Sequence, residues 1–162
     1  MATPVFFQNN SIRDLLTNPI FLSAATSWLL AQVIKAIVAC VTTQKRSIKE
    51  VLETVVWRTG GMPSSHASVV SSMTTAVAIN SGIGSNLFAV CFFLSMVVMR
   101  DALGVRRSVG HQAEALNDLG RAASERLNFE FNEVKEIKGH KPLEVIIGGI
   151  LGICIAVAYA WL

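Results

Sequence analysis

Charged residues are scarce in this chain: 15% of its 162 residues are Asp, Glu, Lys or Arg, 52% are hydrophobic, and the mean hydropathy is +0.50. That balance excludes an ordinary soluble domain of this size and implies a lipid solvent. The net charge of +3 is too small to argue for nucleic acid, and no such partner is expected. Cysteine is sparse too. Cys40, Cys91 and Cys154 are odd in number, far apart and each inside an apolar run. This excludes a disulfide framework and a zinc site and leaves burial as their expected role. With no carboxylate cluster and no Cys/His ligand spacing, neither a metal nor a cofactor is expected. Internal repeats, low-complexity tracts and long linkers are missing, and the length suits one domain. The first apolar run follows only Arg13 and Asp14 and is too long for a signal-peptide core, so it is expected to stay as an anchor. The division expected is a short leader, residues 1–18, and one membrane-embedded helical domain, residues 19–162.

What is present is a set of apolar segments separated by two blocks of charge. Residues 20–41, 64–80, 86–100 and 143–162 read as membrane-embedded helices, given that a crossing takes roughly 20 apolar residues. The third is short and is expected to carry Arg100 and Asp101 into the headgroup region or the protein interior. After it, Ala102, Val105, Val109, Ala113, Leu116 and Ala123 recur at helical spacing and predict an amphipathic helix over 101–127. Arg107, His111, Glu114, Asp118, Arg121 and Glu125 form its polar face, where pairs such as Arg121 with Glu125 are surface stabilisation and His111 is solvated. Arg106 lies off that face, near Gly110, Ala113 and Asn117, and is the better of the two arginines for an inward role. Residues 42–59, with Lys45, Arg46, Lys49 and Arg58, suggest a short surface helix. The fold class is all-α: an integral-membrane helical bundle of about four embedded helices plus the amphipathic helix. Gly148, Gly149 and Gly152 allow close packing in the last helix and permit a homodimer without demanding one.

The chain is organised around Gly60-Gly61-Met62-Pro63-Ser64-Ser65-His66-Ala67-Ser68. Gly61 and its neighbour free the backbone, the proline suits a first helical turn, and Ser64 and Ser65 sit where a helix start leaves N–H groups unpaired. Such a start attracts anions, and His66 there can exchange a proton with a docked oxyanion; the plainer alternative is an N-capped loop with an incidental histidine. Late in the chain His140 again precedes a helix with proline in its first turn, and Glu144 is placed either to orient that imidazole or simply to meet the helix dipole. Lys35, deep in the first apolar segment, is a functional candidate by cost, with snorkelling as the alternative.

Threading four crossings puts Lys35, His66, Arg100, Asp101, Arg106, Arg107, His140 and Glu144 on one membrane face. Two helix starts, two histidines, a carboxylate and several cations at one level suit phosphoryl transfer through a covalent histidine. One imidazole attacks phosphorus, cations and N–H groups hold the equatorial oxygens, and a second, protonated imidazole serves the leaving oxygen.

The sequence resembles the superfamily of type-2 phosphatidic acid phosphatases and vanadium-dependent haloperoxidases, and more closely a small divergent branch with GGMPSSH, DALGVRR and GHKPLEV stretches, here Gly60–His66, Asp101–Arg107 and Gly139–Val145. The resemblance implies Ser64 and Ser65 as phosphate contacts, His66 as the acid, His140 as the nucleophile and Glu144 as its orienting carboxylate. Lys35 would supply the lysine of the first motif, with Arg46 or Arg58 as its partner. Ser65 replaces a glycine and Val134 stands where an arginine belongs, so Arg106, Arg107 or Lys135 would have to substitute. Asp101 and Gly61 are expected in support. The reading is a metal-independent hydrolase of the acid phosphatase type, acting on a lipid phosphate, a pyrophosphate or a small phosphate ester through phosphohistidine. The alternatives are a non-catalytic phosphate or phospholipid binder in transport or regulation, and a purely structural membrane protein. Lys and Arg concentrate on the site face, which the positive-inside rule assigns to the cytoplasm, with both termini outside.

Overall fold

The computed structural model describes residues 12–42, 61–134 and 142–162. The surface helix expected over 42–59, with Arg46 and Arg58, and the positions of Lys135 and His140 lie outside the described residues.

Among the described residues six helices follow in order: α1 Ile12–Thr17, α2 Pro19–Thr42, α3 Ser65–Ser81, α4 Asn86–Arg100, α5 Arg106–Leu127 and α6 Pro142–Ala160, with a π-helical turn Asp101–Val105 joining α4 to α5. Their starts follow local chemistry. The Asn18 carboxamide accepts from the N–H groups of Ile20 (2.9 Å) and Phe21 (3.3 Å), and Pro19 takes the first position of α2, which needs no N–H donor. Ser64 caps α3 and Ser85 caps α4. Gly82, at φ 81°, ends α3 in a conformation that side chains resist. Pro63 lies just before the capping serine, fully buried, and Ser65 opens the helix.

This is an all-α, integral-membrane bundle. α2, α6 and the helical run Asn86–Leu127 are each long and apolar enough to cross a membrane. α3, shorter and rich in serine, is the enclosed helix and packs against α6, α2 and α4. Leu29, Val33 and Ile37 of α2, Phe93 and Val97 of α4, and Ile146 and Ile150 of α6 face outward, while Ser23, Ser27, Ala31, Ser64, Ser68 and Ser72 are buried. Lipid tails are as apolar as leucine, so hydrophobicity does not drive these helices together. Small residues that let backbones touch, and hydroxyls bonded across helices, do so instead. Ser27 Oγ and Ser68 Oγ share a hydrogen bond of 2.6 Å, as do Thr26 Oγ1 and the Tyr159 hydroxyl at 2.8 Å. The same logic corrects the cysteines: Cys91 is buried, but Cys40 and Cys154 are exposed.

α6 runs parallel to α3 at backbone contact. A Cβ on Gly148 would fall on the Ser64 carbonyl and one on Gly152 on the Ser68 carbonyl, closer than real Cβ atoms approach. The amphipathic helix is present as α5, but its lining differs from expectation. Val105, Val109 and Leu116 are exposed, and the buried line is Ala113, Asn117 and Gly120. Residues 129–134 double back along it. The Phe131 ring covers Gly120, and the Asn117 carboxamide donates to Val134 O (2.9 Å) and accepts from Val134 N–H (2.8 Å). Arg121 pairs with Asp118 and Glu133 rather than with Glu125.

Candidate functional site

The first turns of α3 and α6 lie side by side. The Ser64 N–H, which as a capping residue has no partner within its own helix, donates to the Glu144 carbonyl at 2.9 Å. The Ser64 hydroxyl accepts from Ala67 N–H at 3.4 Å. Beneath these turns Ala67 of α3, Ala102 of the π turn and Val145 of α6 form a buried cluster against which Met99 of α4 packs. Four elements thus meet at one end of the bundle, and the starts of α3 and α6 point the same way.

Lys35 enters this end from α2. Its side chain is only 4% exposed, and a Cβ on Gly61 would stand 3.6 Å from its Cγ and 3.8 Å from its Cδ. Gly61 has φ 94°, so the turn can lie flat over the lysine stem only with glycine there. The Glu144 side chain is half-buried and acts electrostatically on Lys35. A cation this deep loses hydration that only an opposite charge or a polar lining restores. Gln32, one helical turn deeper on the same side of α2, is buried with its Oε1 unbonded among the described residues.

Of the candidates named from sequence, Lys35, Gly61, Ser64, Ser65 and Glu144 come together here, with Ser64 and Ser65 buried. His66 stands exposed on the same first turn of α3. Asp101, half-buried, opens the π turn beside Ala102. Arg106 and Arg107 begin α5, and their side chains, like Arg58 and His140 entirely, lie outside what is described. Val134 is held at Asn117, roughly 16 Å along α5 from its start. His111 is solvent-exposed and 3.6 Å from Glu114, as expected of a surface pair. Sequence reasoning missed the approach of Glu144 to Lys35 and the burial of Gln32. The spacing of Gln32 and Lys35, one turn apart on one helix, was the available signal for the second.

The chain is 36% identical over 159 residues to an uncharacterised membrane protein, YuiD, of Bacillus subtilis (strain 168), an alignment covering 91% of this chain and 98% of that protein. No solved structure matches it. Residues 16–155 match the model of the divergent PAP2 family, and the chain belongs to that family as an integral-membrane protein.

Proposed function

We propose that this protein is a metal-independent phosphatase that hydrolyses a lipid phosphate or pyrophosphate through a phosphohistidine. The observation that carries the reading is the paired start of α3 and α6, with the buried Lys35 and the Glu144 carboxylate at the same level. In this scheme a ring nitrogen of His140 attacks phosphorus and the bond to the leaving oxygen breaks, that oxygen taking a proton from His66. Water then attacks the phosphohistidine, gives its proton to His66, and phosphate departs with the His140 nitrogen restored. Glu144 orients the nucleophile. Lys35, Ser64, Ser65 and the arginines Arg58, Arg106 and Arg107 hold the equatorial oxygens as charge develops. Asp101 and Gly61 keep the surrounding backbone in place. The concentration of Lys and Arg on this face supports placing the site toward the cytoplasm.

The test is vanadate-sensitive phosphate release from phosphatidic acid and from prenyl pyrophosphate by the purified protein. His140→Ala and His66→Ala should each lower it at least about 10²-fold. Full activity in both variants would remove the scheme.

A second reading, a phosphate or phospholipid binder without turnover, draws on one observation. Val134, where the wider superfamily carries arginine, is fastened by its backbone to Asn117 on α5. Saturable binding of phosphatidic acid with no release of phosphate across a substrate panel would favour it.

A further inference from the structure

α5 carries two lines of small and apolar residues, and its own chain covers one of them. Asn117 and Gly120 lie under residues 129–134. Beside them Val105, Val109, Leu116 and Leu119 stay open, Leu116 at 48% and Leu119 at 68% exposure. Among the described residues α5 packs chiefly on the π turn and on that returning segment. An exposed leucine is ordinary where a helix faces lipid. Here it is not, because Glu114, Asp118, Arg121, Glu125 and Arg126 on the same helix are too many charges for a hydrocarbon surrounding. The leucines of α5 face water, where apolar surface is driven to find a partner.

The spacing says what kind of partner. Val105, Val109, Gln112, Leu116, Leu119 and Ala123 follow one another at alternate steps of four and three. A repeat of 3.5 residues makes the seam of a left-handed coil of helices, and Gln112 is a polar layer of the sort that fixes register. A groove of about 540 Å³ runs beside the seam, lined by Leu103, Gly104, Ser108, His111, Gln112 and Ala115. Charge then says which helix. At about 100° per residue, Glu114, Asp118, Arg121 and Glu125 all fall on the opposite side of α5. In a parallel pair each seam residue meets its own counterpart, so any charge there would repel itself, and the seam has none from Val105 to Ala123. A membrane surface is a poorer match. The polar side sets Glu114, Asp118 and Glu125 against Arg121, whereas helices that lie on anionic headgroups carry lysine and arginine there. Nor do the glycines of α6 offer a rival seam, since Gly148, Gly149 and Gly152 all face α3.

We infer that two copies of this chain pair through α5, side by side and parallel, with Val109, Leu116 and Leu119 meeting their counterparts across a twofold axis. The direction follows from the helical run Asn86–Leu127, which carries α5 onward from α4 in two copies that share one membrane orientation. The inference does not depend on the phosphatase reading.

The full-length protein, with its native cysteines replaced, is reconstituted in phosphatidylcholine vesicles and oxidised with copper–phenanthroline. Val109→Cys and Leu119→Cys should each form a disulfide between two copies. Glu125→Cys, on the charged side, should not. Energy transfer between donor- and acceptor-labelled copies in the same vesicles should fall at least about tenfold when Leu116→Arg and Leu119→Arg put charge on the seam. Amide protection of α2, α3 and α6 should stay as it was. Failure of both crosslinks, or energy transfer that survives the double arginine variant, overturns the inference. A crosslink at Leu116→Cys with none at Val109→Cys or Leu119→Cys means an antiparallel pair and overturns it too. So does shielding of Leu119→Cys from an impermeant maleimide in nanodiscs that hold one copy, which would give this face to lipid or to the chain's own fold. Should the arginine variant not fold, the cysteine crosslinks decide alone.

Discussion

A lysine inside a membrane helix persists only where its lost hydration is replaced. Lys35 has the Glu144 charge on one side and its stem against Gly61 on another. Replacing it by methionine keeps the stem and removes the charge. Phosphate release by Lys35→Met should fall about 10²-fold or more while the protein still folds, as read by turnover beside a melting curve. Gly61→Ala should cost about 1–2 kcal/mol of stability through its positive φ alone. Gly84→Ala, with nothing within 4 Å of the added carbon, should melt unchanged. Lys35 stood out in the sequence because its cost depends only on depth in an apolar run. Its approach to Glu144 did not, since nothing local joins residues so far apart. The cysteines were misjudged for a physical reason. In lipid an apolar neighbourhood marks the outside of a bundle as readily as its inside, and Cys40 and Cys154 face outward.

Among the elements, the contact of α3 with α6 depends on two missing side chains. Gly148→Ala and Gly152→Ala press a methyl onto the Ser64 and Ser68 carbonyls, where backbone must move. Each should lower stability by roughly 1–3 kcal/mol or more in a detergent melt, overpacking being the mechanism. Gly104→Ala, which meets nothing, is the control. Such seams are legible, because small residues at helical spacing in an apolar segment have few other uses. The covering of α5 was not. Its period was visible, but residues 129–134, which cover Asn117 and Gly120, have no period of their own. Asn117→Ala breaks both hydrogen bonds to Val134. Amide exchange over 129–134 should accelerate strongly while α2, α3 and α6 keep their protection, since α5 packs chiefly on the π turn.

For the whole molecule, the parallel run of α3 and α6 requires Gly82–Ser85 and the end of α6 to share one membrane face, and the starts of α3 and α6 to lie toward the other. With the native cysteines replaced, Gly84→Cys and Leu162→Cys should react with an impermeant maleimide from the same side of sealed vesicles and Glu130→Cys from the opposite side. The all-α bundle of apolar helices followed from segment lengths alone. Which helix would be enclosed did not, because segment length does not distinguish an enclosed helix from one that faces lipid. The order of the chain adds a consequence for assembly. The helix that α3 touches most emerges from the ribosome only after everything from Gly82 to Lys141 has been made. Until then the serine flank of α3 must wait in the bilayer with its partner still unborn. A nascent chain stalled before Pro142 would hold two anchored hairpin arms and an unfinished centre, and quality-control proteases should clear it quickly.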